Sequence, residues 1–506
     1  MLIKTEFGQN KYWYSPINKQ FIILHPLLEY IKNISNTVLN IEEFMSNLTE
    51  EIDLPNIGLV SKNDVLLSYE KYLLLRENNY FSENLIQNNL KGRLNGEKVK
   101  QTFANTSCVV FEVTDKCNLS CTYCCYGDLY KNNSNRNNNN LSLDKAIYFL
   151  DYLLELRSKE RKSNTTDYLQ IGFYGGEPLL NITFIEGIVN YLKTKNENKV
   201  KFVLTLTTNG VLLDKYMDYL VERNIHFSVS LDGNKENNSY RIKKNHKSSF
   251  ETVFNNLKKF QMKYPSYFEK HVKIFSVLHN KNSIKEISAF INQEFNKNPV
   301  ISEIISIGVN VDKTEDFFTI YKNTLEDLYQ KEIYLESEKQ NILGFANRTT
   351  VAKAINQYCS FVFKDYQQLM FGNDTPSKSM PTGTCLPFYY KTFVTSKGHI
   401  LPCEKIDQKF ALGYIGIDNK INLDFDKIAK IYNDIYNKIE KQCASCYIAS
   451  TCSQCAFNMK DIENENPNCQ GCLSFNEFSQ YLTLQISYLE KYSNQYNYIM
   501  KKIIGR

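Results

Sequence analysis

Thr114-Asp-Lys-Cys117-Asn-Leu-Ser-Cys121-Thr-Tyr-Cys124 is the stretch around which the chain is organised. Its cysteines are spaced C-x3-C-x2-C. Three thiolates this close can hold three irons of a [4Fe–4S] cluster, whereas an electron-transfer cluster takes four cysteines. A missing fourth thiolate leaves one iron open to bind and reduce something else. Tyr123 places a flat ring beside that iron. Taken alone, the three cysteines also allow a zinc site or buried thiols, because C-x2-C reads as zinc too.

The segments downstream decide between these. Ser107 to Val113 is a β run ending in the cysteine loop. Strand-like runs then alternate with helical ones: Tyr168 to Tyr174, Lys201 to Thr207, His226 to Leu231, Val272 to Leu278, and about Ile304 to Val309. Helices are expected from Ser142 to about Arg157, over Ile182 to Lys193, after Asp214 and from Ser249. Six apolar βα repeats imply an α/β fold, a parallel sheet covered by helices. In such a fold the ligand-binding groups gather at the C-terminal ends of the strands. Gly175-Gly176-Glu177-Pro178, Thr207 with Asn209, and Ser230 with Asp232 all sit at strand ends. Glycines there let backbone approach a ligand closely. The polar run Lys131 to Asn140 reads as a solvated loop.

The cysteine spacing with its aromatic residue, followed by this series of strand-end motifs, resembles the radical S-adenosylmethionine (SAM) enzymes. The resemblance implies a partial (β/α)6 barrel. It implies that the open iron chelates the amino and carboxylate groups of SAM, and that an electron from the cluster yields a 5′-deoxyadenosyl radical that takes hydrogen from substrate. The cofactors carry this chemistry while the protein positions them. By the same resemblance Gly175, Gly176 and Glu177 face the SAM amino group, and Ser230 and Asp232 the ribose hydroxyls. Thr207 and Asn209 fill the strand-three position. The His-Asp pair common in the family is replaced by Asn237-Asn238, and Arg241 remains as the partner of the SAM carboxylate. An electron donor such as flavodoxin or ferredoxin is implied as a partner.

A second cysteine-rich region follows: Cys385, x12, Gly398, x4, Cys403, a gap, Cys443-x2-Cys446-x5-Cys452-x2-Cys455, then Cys469-x2-Cys472. It resembles the SPASM domain, which holds auxiliary iron–sulfur clusters, with Ser396-Lys-Gly398 as its hairpin. Two departures stand out. The interval from Cys452 to Cys455 is x2 where the family has x3, and a pair occupies the place of a final single cysteine. The resemblance implies two auxiliary [4Fe–4S] clusters, one on Cys385, Cys403 and Cys455, the other on Cys443, Cys446, Cys452 and either Cys469 or Cys472. The first lacks a fourth thiolate: Cys359 is the candidate to supply it, the alternative being a site left open to a substrate thiolate. A zinc ribbon is the alternative. Cys108 and Cys125 are expected to be structural thiols, and no role is assigned to the histidines.

The 506 residues suggest about three domains. The expected divisions are 1–100 as a small α/β leader-peptide module, 101–312 as the radical SAM core, 313–380 as a helical linker, 381–475 as the SPASM domain and 476–506 as a terminal helix. Within the first, Lys11 to Tyr14 and Phe21 to Leu24 read as a hairpin, with helices over Pro26 to Ile34 and Asp64 to Arg76. This module is either a packing cap or a peptide-docking domain. The net charge of +5 is small for the length and argues against a nucleic-acid binder. No signal peptide and no apolar run of ~18 residues is seen, so a membrane span is not expected. Fourteen cysteines in short clusters favour metal over disulfides, in a reducing cytoplasm. The expected function is maturation of a ribosomally made precursor peptide by thioether or carbon–carbon crosslinking or by epimerisation. The alternatives are a formylglycine-forming sulfatase maturase and a non-catalytic zinc-binding interaction protein.

Overall fold

The computed structural model describes residues 1–4, 10–37, 47–54, 57–82, 90–130, 138–160, 167–195, 200–306, 308–323, 327, 351–352, 354–355, 380–449, 452, 454–459 and 461–500. Cys359, most of the segment expected to be a helical linker, and part of the loop from Lys131 lie outside these residues.

Near the N-terminus, strands β1 (Leu2–Lys4), β2 (Lys11–Ser15) and β3 (Gln20–Ile23) form an antiparallel sheet with β2 in the middle. The expected hairpin is present, and β1 adds a strand to it. The helix Pro26–Thr37 follows, then the hairpin of β4 (Glu51–Leu54) and β5 (Gly58–Ser61), then the helix Lys62–Glu77. Ser61 caps that last helix by accepting from the Asp64 amide. Side chains alternate across β2, as a strand requires. Trp13 enters a core with Leu24, Leu27, Leu28, Ile31, Val65 and Tyr72. Tyr14 faces the other way and packs on Phe478 and Leu482 of the helix Phe475–Lys491.

The central sheet contains β6 (Cys108–Thr114), β7 (Asp167–Gly175), β8 (Val200–Thr208), β9 (His226–Ser230), β10 (Val272–Leu278) and β11 (Val300–Glu303), all parallel and in sequential order. Helices Leu143–Glu160, Ile182–Lys193, Leu213–Glu222, Phe250–Lys263 and Ile284–Phe295 connect them. This is the partial barrel of a βα-repeat fold. The sixth strand is corrected by the structure. It lies at Val300–Glu303 and not at 304–309, because its register runs Phe275↔Val300 to Leu278↔Glu303 and its partner β10 ends there. Arg157 is buried at the end of its helix and donates to the carbonyls of Ala104, Thr106 and Tyr168, which locks that helix to the starts of β6 and β7.

The sheet continues past β6. Strand β12 (Thr392–Val394) pairs parallel to β6, and β13 (His399–Leu401), β14 (Gly413–Ile415) and β15 (Ile421–Leu423) follow as an antiparallel meander. The helix Phe425–Ala444 packs its Ile428, Tyr432, Tyr436 and Ile439 into the same apolar core as the barrel strands. The cysteine-rich C-terminal region is thus built on the edge of the barrel. Among the described residues no helix is long and apolar enough to cross a membrane.

Candidate active site

Strand β6 is buried along its whole length and delivers the loop of Cys117, Cys121 and Cys124 at its C-terminal end. The loop is shaped by local turns. The Cys124 amide donates to the Cys121 carbonyl at 3.1 Å and the Gly127 amide to the Cys124 carbonyl at 2.7 Å. The Leu119 amide points back at the sulfur of Cys117, 3.4 Å away. Burial pushes the Cys121 thiol up to about 12, the neighbouring thiols add to this, and Arg241 opposes it. A thiolate cluster packed this way needs a cation, and an iron–sulfur centre provides one. The donor set therefore fits the group that the spacing implied.

Gly175 and Gly176 are required by contact with that loop. Gly175 has φ +135°, and a Cβ on Gly176 would stand 2.0 Å from the Lys116 carbonyl oxygen. The Gly176 amide donates to Thr114 and the Glu177 amide to Lys116, both at 2.8 Å. Glu177 is fully buried. Its carboxylate accepts from the Thr208 hydroxyl (2.8 Å), the Asn209 amide (2.7 Å) and the Leu179 amide (3.1 Å). Burial outweighs these donors and lifts Glu177 to about 7. Asn209 in turn donates to Asn118 at 2.7 Å and lies 3.7 Å from the Cys117 sulfur. The second and third strand ends thus hold the cysteine loop in place.

The fourth strand end carries Asp232, which is fully buried and paired with Arg241 through both oxygens, at 3.0 and 2.9 Å. The Val277 amide donates to the same carboxylate at 2.9 Å, and the Tyr123 hydroxyl also donates to it. Burial works against the Arg241 charge, yet Asp232 holds it protonated above its usual range. Tyr123 is raised by burial and then by Asp232. The Arg241 guanidinium stands 5.5 Å from the centre of the Tyr123 ring. Thr207 and Ser230 are half-buried in β8 and β9, paired to Ser228 and Phe275. Asn238 accepts from the Asp232 amide and Asn237 donates to the Lys281 carbonyl, so this pair shapes the turn that carries Arg241.

Two residues in this network received no role from the sequence. His279, at the end of β10, stacks on Tyr123 at 5.8 Å and lies 3.9 Å from Asp232. Burial lowers it to about 4, so it is neutral at pH 7. Its position at a strand end was the available signal. Glu112, a lone charge inside an apolar strand, accepts from the Tyr126 hydroxyl (2.6 Å) and the Ser396 amide (2.8 Å), joining the cysteine loop to the C-terminal hairpin.

The C-terminal cysteines fall into two places. Cys443, Cys446, Cys452, Cys469 and Cys472 line one pocket with Thr382, Gln442 and Met459, partly open to solvent. Cys385, Cys403 and Cys455 lie near Tyr432, and their charges would raise that buried phenol further. Thr382 donates to the Gln454 carbonyl and Thr384 accepts from the Ala456 amide, bringing Cys385 beside Cys455. Among the described residues no three Cys, His, Asp or Glu side chains converge closely enough to hold a single metal ion. Cys108 is buried in β6, and Cys125 packs with Tyr123, Leu129 and Tyr130.

Residues 111–293 match the profile of the radical SAM superfamily, so the chain carries a radical SAM domain and is a radical SAM enzyme. The family implies SAM and a [4Fe–4S] cluster. Among similar proteins, a cysteine-type anaerobic sulfatase-maturating enzyme of Clostridium novyi (strain NT) is 24% identical over 406 residues, 76% of this chain and 97% of that one. The radical SAM cyclopropyl synthase TigE of Paramaledivibacter caminithermalis is 28% identical over 178 residues, 32% of this chain and 36% of that one. The solved structure of native anSMEcpe with bound AdoMet superposes with TM-score 0.50 at 17% identity, covering 78% of this chain and 98% of that one. It shares the fold. The chain is thus a radical SAM enzyme similar to a sulfatase-maturating enzyme over about three quarters of its length.

Proposed function

We propose that the enzyme matures a ribosomally made precursor peptide, forming a thioether or carbon–carbon crosslink or an epimer. The observation that carries this reading is the N-terminal module. Its sheet ends in β3, which pairs with β2 on one side only among the described residues and exposes Ile23. Such an edge can accept a peptide strand by main-chain pairing, and the module's other face is anchored to the helix Phe475–Lys491. A peptide held there is tethered near the barrel at raised effective concentration.

When bound, SAM and its cluster would supply the radical that removes hydrogen from the peptide. In this reading Cys117, Cys121 and Cys124 hold the cluster. Gly175, Gly176 and Asn209 keep their loop in place. Arg241, oriented by Asp232, presents its remaining nitrogen to the SAM carboxylate, and Ser230 and Thr207 line the strand ends beside it. The C-terminal thiols, gathered in two groups, would hold auxiliary clusters. The nearly full-length match to a sulfatase maturase supports a second reading, oxidation of a Cys or Ser to formylglycine.

Mass spectrometry of candidate precursor peptides incubated with enzyme, SAM and a reductant separates the readings. Loss of two hydrogens, or uptake of one deuterium from heavy water with no mass change in light water, supports the first. Conversion of a sulfatase-motif peptide to its aldehyde, with leader-bearing peptides unchanged, rejects it. Replacing Ile23 with Pro in β3, whose amide faces the unpaired edge in this register, should weaken leader binding while uncoupled SAM cleavage persists. Unchanged affinity would reduce the module to a packing cap.

A further inference from the structure

Strand β6 reads Cys-Val-Val-Phe-Glu-Val-Thr and is buried at every position, with Glu112 as its one charged side chain. A carboxylate taken out of water is costly unless its oxygens are matched. Glu112 is 1% exposed, and each of its oxygens has a donor of its own. The Tyr126 hydroxyl donates to one at 2.6 Å and the Ser396 amide to the other at 2.8 Å. These donors belong to distant parts of the chain. Tyr126 stands two residues beyond Cys124 in the cysteine loop. Ser396 lies in the turn between β12 and β13, on the way to Cys403. Main-chain pairing of β6 with β12 ends at Phe111↔Val394. Beyond that pair the Glu112 carboxylate continues the connection.

We propose that Glu112 is a positioning residue that ties the barrel's cysteine loop to the C-terminal hairpin, so that the place of Cys124 depends on the place of Ser396. It acts through Tyr126 and touches neither substrate nor SAM. The Gly127 amide donates to the Cys124 carbonyl at 2.7 Å, in a turn that spans Tyr126. Holding the far end of the Tyr126 side chain fixes that turn, and the turn carries Cys124. Groups behind a metal ligand set its orientation in this way. The inference rests on reading Cys117, Cys121 and Cys124 as the cluster site. The hairpin allows a clean perturbation. The Gly398 amide donates to the Thr395 carbonyl at 2.8 Å, which makes Ser396 the second residue of a β-turn, a position where proline is favoured. Ser396→Pro removes the donor and keeps the turn, while Ser396→Ala keeps both.

The test uses the full-length protein, reconstituted anaerobically, in four variants: Glu112→Ala, Glu112→Gln, Ser396→Pro and Ser396→Ala. Hydrogen exchange by mass spectrometry follows residues 117–127 and 395–399, and EPR of the reduced protein with SAM follows the barrel cluster. Glu112→Ala should speed exchange in both segments about fivefold, the worth of one hydrogen bond, and alter the cluster signal. Glu112→Gln should match the wild type, because its oxygen accepts from the Ser396 amide and its NH2 donates to the Tyr126 oxygen. Ser396→Pro should speed exchange in 117–127 and alter the cluster signal, and Ser396→Ala should do neither. Wild-type exchange and signal in Glu112→Ala overturn the proposal, as does faster exchange throughout the barrel, which would make Glu112 a general stabiliser. An unchanged cysteine loop in Ser396→Pro overturns the coupling between the two segments. A wild-type protein with no barrel-cluster signal overturns the cluster reading instead, and the exchange comparison still decides the role of Glu112.

Discussion

Replacing Asp232 with Ala removes the acceptor for four groups at once: both contacting nitrogens of Arg241, the Tyr123 hydroxyl and the Val277 amide. The Asp232 side chain is 0% exposed and that of Arg241 only 9%. The guanidinium would therefore be left charged in a site that water barely reaches. Breaking a buried pair from one side costs about 3–5 kcal/mol, much of it the desolvated partner. Each buried donor left unmatched adds about 1–3 kcal/mol, though such terms do not add fully. A loss of about 4 kcal/mol is expected, a large part of the ~5–15 kcal/mol typical of a domain. Urea unfolding of the anaerobic protein, followed by fluorescence, measures it. The double variant Asp232→Leu with Arg241→Met should regain about 2 kcal/mol or more, because it removes the stranded charge. If Asp232→Ala costs less than about 1 kcal/mol, or the double variant is the sum of the singles, Asp232 and Arg241 are not coupled in the way described.

Replacing Cys117, Cys121 and Cys124 together with Ala should abolish reductive SAM cleavage, read as 5′-deoxyadenosine, while iron remains in the C-terminal region. Gly176→Ala forces a Cβ to within 2.0 Å of the Lys116 carbonyl, so the cysteine loop must shift. SAM cleavage should fall at least about tenfold, the equivalent of ~1.4 kcal/mol, with the secondary structure by circular dichroism unchanged. Glu177 has its folded-state value raised from 4.5 to about 7, so the folded state binds the extra proton. Its contribution to stability is present below about 4.5 and is lost as pH rises through about 7, by ~3 kcal/mol at most. Denaturation midpoints of the wild type should fall across that window, and those of Glu177→Gln should change less; parallel curves would show that Glu177 is ionised throughout.

The order of βα units, five of the six parallel strands and the cysteine loop were all legible in the chain. These are local properties: apolar runs of strand length, helical periodicity and a fixed ligand spacing need no knowledge of distant residues. Glycines 175 and 176 were legible as special positions, but the reason was not. The atom they make room for is the Lys116 carbonyl, some sixty residues earlier in the chain. The sixth strand was misplaced because Ile304 to Val309 has strand composition, whereas the pairing with β10 runs from Val300 to Glu303.

What the tertiary structure alone decided is which polar groups satisfy one another. Asp232, Arg241, Tyr123 and His279 come from the ends of different strands and from the cysteine loop, and their shared burial makes each dependent on the others. Sequence could name Asp232 and Arg241 as separate ligand candidates; it could not show that they are bound to each other. Likewise, a C-x2-C pair states that two thiols are near in the chain. What each sulfur meets depends on groups elsewhere in the chain, as where the Cys472 thiol donates to the Gln442 carbonyl, 3.8 Å away. The edge-on junction of β12 with β6 is of the same kind. Spacing fixes chemistry within a loop, and hydrogen bonding between buried groups far apart in the chain is settled only when the fold removes water from all of them at once.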